Sequence, residues 1–97
     1  MKVKDIEGNI IAISSHILKA GGVTKRVTEH SSLIGKDPVL DSMGLVELCV
    51  SLEDLSADEY DFDFDWTSEK AMSATKSMFR SVASLAEEFY EQWSSNQ

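Results

Sequence analysis

Cysteine is almost absent from this 97-residue chain: only Cys49 occurs. A single cysteine excludes an internal disulfide and suits a reducing compartment. Histidine is nearly as scarce. His16 and His30 stand isolated, so neither belongs to a catalytic constellation. The wording Leu40-Asp41-Ser42-Met43-Gly44 is not the Gly-x-Ser-x-Gly elbow of a serine hydrolase. No enzymatic activity is therefore expected. Long apolar runs are missing as well. Met1-Lys2-Val3-Lys4-Asp5 leads into none, so no secretory signal or membrane span is read. A cytoplasmic protein without membrane insertion is expected. Basic residues are few: nine Lys and Arg stand against seventeen Asp and Glu, a net charge of -8. That field repels nucleic acid and anionic membranes and attracts protein surfaces rich in Lys and Arg.

What is present suits one domain over residues 1–97. A domain this small buries about 60–65% of the surface its unfolded chain exposes. One modest core fits, but a deep active site does not. The 42% hydrophobic content is ordinary for a globular chain. A monomer is expected.

Three segments carry helical spacing. Over residues 4–19, Ile6, Ile10, Ile13 and Ile17 share one face. Asp5 and Glu7 suit the positive end of that helix, Lys19 the negative end, and Gly21-Gly22 the stop. A second helix over residues 41–55 places Leu45, Leu48, Cys49 and Leu52 in a stripe, with Glu47, Glu53 and Asp54 off it. Cys49 is thus expected as an inert buried thiol. Either Asp41 or Ser42 can cap this helix. The last helix has Val82, Leu85, Ala86, Phe89 and Trp93 on one face, and Ser81 suits its cap. The tail, residues 94–97, is expected to fray. Helical spacing also follows Thr67, with Ala71, Met72 and Thr75 on one side.

Two connections stand out. Residues 20–40 form a long loop holding the only proline, Pro38. Such a loop needs anchors or a function. Val23, Val27, Leu33, Ile34, Val39 and Leu40 are candidate anchors, and residues 29–33 suit a short helical turn. Residues 58–66 alternate Phe62, Phe64 and Trp66 with acids, a period of two that predicts an extended segment. One lone segment cannot make a sheet, so its aromatics are expected to cover the core. Asp61-x-Asp63-x-Asp65 fails as a calcium loop, because Trp66 stands where Gly is needed and Met72 where Glu is needed. No metal site is expected.

The informative stretch is Asp41-Ser42-Met43-Gly44-Leu45-Val46-Glu47-Leu48-Cys49-Val50-Ser51-Leu52-Glu53-Asp54. Alone, an Asp-Ser at a helix start reads as a plain cap. With the apolar helix after it, Glu47 five residues beyond Ser42, and the Leu52-Glu53-Asp54 ending, it resembles the signature of acyl carrier proteins. The motif covers about fourteen residues. The first helix, long loop and final helix agree with the family in outline.

The resemblance implies an all-α, four-helix bundle with a long first loop and a short third helix. It implies 4'-phosphopantetheine, supplied from coenzyme A by a phosphopantetheinyl transferase, on Ser42. A phosphodiester there would sit at a helix N-terminus, where free N–H groups favour an anion. Acyl-activating, acyltransferase and ketosynthase-type enzymes with basic patches would be the other partners. Asp41, Glu47, Glu53 and Asp54 would meet those patches, with Met43 and Val46 as apolar contacts. Leu45, Leu48, Cys49, Leu52, Phe62 and Val82 are candidates to line an acyl cleft, or else ordinary core. Between Asp41 and Asp65 lie nine acids and no Lys or Arg, which would speed encounter with basic partners.

Gly44 departs from the pattern, since many fatty acid carriers have an acid there. Val39-Leu40-Asp41 also lacks the glycines and His that usually precede the serine of a peptidyl carrier. The expected member is a free-standing, specialised bacterial carrier in fatty acid, lipid or polyketide biosynthesis. The other class left open is an unmodified acidic helical interaction module.

Overall fold

The computed structural model describes residues 2–34, 37–66 and 78–95. Three helices occur among them: α1, Val3–Ala20; α2, Ser42–Glu59; and α3, Val82–Ser95. No strand occurs among the described residues, so the all-α class holds there. The short helix expected around Ala71, Met72 and Thr75 lies outside the described residues. None of the described helices is long and apolar enough to cross a membrane.

α1 starts where the Lys2 N–H donates to Asp5 Oδ2 at 3.1 Å. Its buried line is Ile6, Ile10, Ser14 and Leu18. The expected face is therefore right at its start, but Ile13 and Ile17 are only half-buried. The helix ends in a Schellman turn. Gly22 has φ +76°, Val23 N–H donates to Leu18 O at 2.8 Å, and Gly22 N–H to Lys19 O at 3.0 Å. Only glycine takes that φ without strain.

α1 packs against both α2 and α3. From α2 come buried Gly44, Leu48, Cys49, Leu52 and Ser56. From α3 come Val82, Leu85, Ala86 and Phe89. α2 runs one turn past the expected end, through Glu59, so the extended segment starts later than residue 58. α3 continues through Ser94 and Ser95, where a frayed tail was expected. Ser81 does cap α3: its Oγ accepts from the Ser84 N–H at 3.1 Å.

The long loop is held at that same helix end. A helix start leaves four N–H groups without intrahelical partners. Here the Ser31 and Glu29 carbonyls accept from Val82 N–H (3.0 Å) and Ala83 N–H (2.9 Å). Leu33 N–H donates to Phe79 O at 3.2 Å. Val27, Leu33 and Leu40 are buried anchors, and Ile34 and Val39 pack at the edge of the core. Val23 is not an anchor: it stays 41% exposed. Residues 29–33 form no helix. The Ser31 N–H instead donates to Thr28 O at 3.1 Å, closing a tight turn.

The aromatic-acidic segment alternates inward and outward, with Phe62 and Phe64 buried and Asp61, Asp63 and Asp65 exposed. Asp61 has φ 56°, a left-handed turn that aspartate tolerates, and it leads the chain off α2. Two side chains replace the missing neighbouring strand. Ser56 Oγ donates to Glu53 O (2.8 Å) and accepts from Phe64 N–H (3.0 Å). The Gln92 carboxamide accepts from Asp65 N–H (2.7 Å) and donates to Asp65 O (2.8 Å). Phe89 is the hub beneath. Tyr60, Phe62 and Phe64 surround its ring with centroids 5.8, 5.0 and 5.1 Å away. Edge and tilted contacts at that range add to area burial.

Two buried serines should respond oppositely to the same change. Ser14 is fully buried and its hydroxyl has no partner among the described residues. Ser14→Ala should raise stability by about 1 kcal/mol, because an unsatisfied buried hydroxyl is removed from a helix interior. Ser56→Ala should lower it by about 1–3 kcal/mol, because the Phe64 N–H is left unpaired. Denaturant midpoints of the two variants check the signs, and equal shifts would refute the assignment.

Candidate functional site

The start of α2 is set by its cap. Asp41 is extended (φ -77°, ψ 179°), and its Oδ1 accepts from the Gly44 N–H at 2.7 Å. Asp41 O accepts from the Leu45 N–H at 2.9 Å. Of the two residues able to cap, Asp41 does so. Ser42 is thereby the first helical residue, exposed, and its hydroxyl makes no hydrogen bond among the described residues. The Ser42 and Met43 N–H groups also lack partners among the described residues. An accessible hydroxyl with two free backbone donors at the positive end of a helix is a donor set that suits a phosphodiester.

Gly44 explains how close this helix start lies to α1. A Cβ there would meet Asp41 Oδ1 at 3.1 Å, Leu40 Cβ at 3.3 Å and Ile17 Cγ2 at 3.4 Å. The position is buried. A side chain here would press on the cap by a few tenths of an ångström, and an acid would place a second carboxylate beside Asp41.

The face of α2 beyond Ser42 is exposed and mixed. Met43 is 75% exposed, Val46 49% and Val50 45%. These three stand at i, i+3 and i+7, beside Glu47 and Asp54 at i+4 and i+11. Val50 completes the stripe and was not singled out from the sequence, although its spacing from Met43 was the available signal. All nine acids from Asp41 to Asp65 are exposed. Glu53 is engaged as well as exposed, because its Oε1 accepts from Trp66 Nε1. That bond ties α2 to the extended segment.

The cleft candidates lie on the other side of α2. Leu48, Cys49, Leu52 and Val82 are fully buried, Phe62 nearly so, and Leu45 half-buried. They belong to the core shared by α1, α2 and α3. A trough of about 370 Å³ lies elsewhere. Ile17, Leu18, Val23, Pro38, Val39 and Leu40 line it, with Asp41 and Lys25 as its charged members.

Burial pushes the Cys49 thiol up to about 12, and the Glu53 carboxylate adds to the rise. Near neutral pH Cys49 is therefore held as the thiol, the unreactive form. Among the described residues no cluster of three or more His, Cys, Asp or Glu side chains is placed to hold a metal.

No family model, curated protein or solved structure matches the chain.

Gly44→Glu should destabilise the fold by at least about 2 kcal/mol, because it inserts bulk and charge at a buried cap. Asp41→Ala should cost about 1 kcal/mol through the lost cap. Thermal unfolding of both variants tests the order. A Gly44→Glu protein as stable as the parent would refute the close packing at this helix start.

Proposed function

We propose that this protein is an acyl carrier that holds its cargo on a phosphopantetheine arm at Ser42. The observation that carries the reading is the division of labour at the start of α2. Asp41 caps the helix, so the exposed Ser42 hydroxyl has no structural task to perform. A plain capping serine would be engaged with the backbone two or three residues on.

When bound, the arm supplies a terminal thiol that carries an acyl group as a thioester; the chemistry belongs to the cofactor, and the protein presents it. This chain's own residues do three things. Ser42 would offer the attachment oxygen, and the unpartnered Ser42 and Met43 N–H groups would favour the attached anion. Met43, Val46 and Val50 offer an apolar strip to a partner, flanked by Glu47 and Asp54. The exposed acids attract Lys/Arg patches on a transferase or an acyl-processing enzyme, and electrostatics of this kind raise on-rate more than affinity, so release stays fast. The buried Cys49 does not compete with the arm for acyl groups.

On this reading the fold is the four-helix carrier bundle. The setting is cytoplasmic, in fatty acid, lipid or polyketide synthesis. The exposed strip also favours a second reading, an unmodified acidic adaptor that docks through the same face of α2.

Two measurements separate the readings. The apo protein is incubated with coenzyme A and a broad phosphopantetheinyl transferase, and its intact mass is recorded. One arm should be added to the parent and none to Ser42→Ala. No increase, or an increase that survives Ser42→Ala, overturns the carrier reading. In the second measurement a disulfide reagent is added to native protein at pH 8. The apo form should react only on unfolding, whereas the loaded form should release one equivalent at once. The loaded thiol should react faster as pH rises toward 9, while Cys49 stays silent until pH approaches 12. Prompt reaction of the apo form would contradict the burial of Cys49.

A further inference from the structure

The trough beside α2 has a composition that the carrier reading alone does not explain. Its walls come from the Schellman turn of α1 (Ile17, Leu18 and Val23) and from the stretch that delivers the chain to Ser42 (Pro38, Val39 and Leu40). Asp41, the residue next to Ser42, belongs to its lining. The trough therefore reaches the residue that precedes the attachment point.

Two features of the lining call for an occupant. Val23 is an apolar side chain left 41% exposed in the exposed stretch between the buried Leu18 and Val27. The turn places it there: Val23 N–H is bonded to Leu18 O, and Gly22 takes the left-handed conformation that makes the bend. Lys25 is the second. It is an exposed cation in a strongly acidic chain, and it forms no ion pair among the described residues. The carboxylate that shares the lining, Asp41, is engaged with the Gly44 N–H. A ligand that suits this trough has an anionic group for Lys25 and a slender, largely apolar chain for Val23, Val39 and Leu40.

We propose that the trough is a resting site for the arm itself: the phosphodiester on Ser42 pairs with Lys25, and the pantetheine chain lies against Val23, Val39 and Leu40. The proposal rests on the carrier reading of Ser42. Its volume of about 370 Å³ lies within the range of small-molecule sites, which begins near 300 Å³. Lys25 also offsets the repulsion between the attached anion and the Asp41 carboxylate. Partner enzymes would then meet an arm in exchange between docked and extended states, with the docked fraction lowering the thiol's apparent reactivity in proportion.

The test uses loaded protein whose intact mass shows one arm. Backbone amide spectra of apo and loaded forms are compared, and the rate of the arm thiol with a disulfide reagent is measured against free pantetheine. Loading should shift the amides of Val23, Lys25, Val39 and Leu40, and the thiol should react about fivefold more slowly than free pantetheine. Lys25→Glu and Val23→Asp should each restore the faster rate. Lys19→Glu, an equal charge change outside the trough lining, should not. Shifts confined to the first turn of α2, with a thiol rate equal to free pantetheine in the parent and in Lys25→Glu, overturn the docking and leave the carrier reading intact. A chain that takes up no arm overturns both, and the mass distinguishes the two outcomes.

Discussion

The hydrogen bond from the Gly44 N–H to the Asp41 carboxylate determines where α2 begins, and much of the molecule follows from it. It leaves Ser42 as the first helical residue with its hydroxyl facing solvent. It also sets Gly44 against the Ile17 side chain, so that the start of α2 meets the end of α1 with no side chain of its own between them. A bulky or charged residue at 44 would push these helices apart and loosen the cap in the same step. The local chemistry of one turn thus joins the packing of two helices to the accessibility of one hydroxyl.

The other end of α2 solves a different problem. A lone extended segment exposes backbone groups that a neighbouring strand would otherwise pair. Ser56 and Gln92 supply those partners from two helices, and Phe89 receives the aromatic side of the segment. The carboxylates on its other side all remain in solvent. Both α2 and the segment after it therefore present acids outward. The trough at the end of α1 is the exception, since Lys25 stands there unpaired among the described residues.

Much of this was legible in the sequence. Ile6 and Ile10, the stripe of Leu48, Cys49 and Leu52, and the face of Val82, Leu85, Ala86 and Phe89 follow from helical spacing, because each helix buries one side. The alternation at Phe62 and Phe64 marked the right inward face. Three things were not legible. The choice between Asp41 and Ser42 as cap depends on backbone angles that neither residue dictates. Ser56 and Gln92 are polar residues whose partners lie eight and twenty-seven residues away in sequence, and no local pattern marks such pairs. Val23 was read as an anchor because it is apolar; the Schellman turn instead carries it to an exposed edge.

On the proposed carrier reading, Ser42 is the point at which this small acidic fold acquires its chemistry. The most direct measurement is fragmentation mass spectrometry of the Ser42-containing peptide from protein purified out of its own cells. The account predicts a phosphopantetheine group located on Ser42 in at least part of the population. Peptide recovered only in unmodified form, or with the group on another residue, would contradict it.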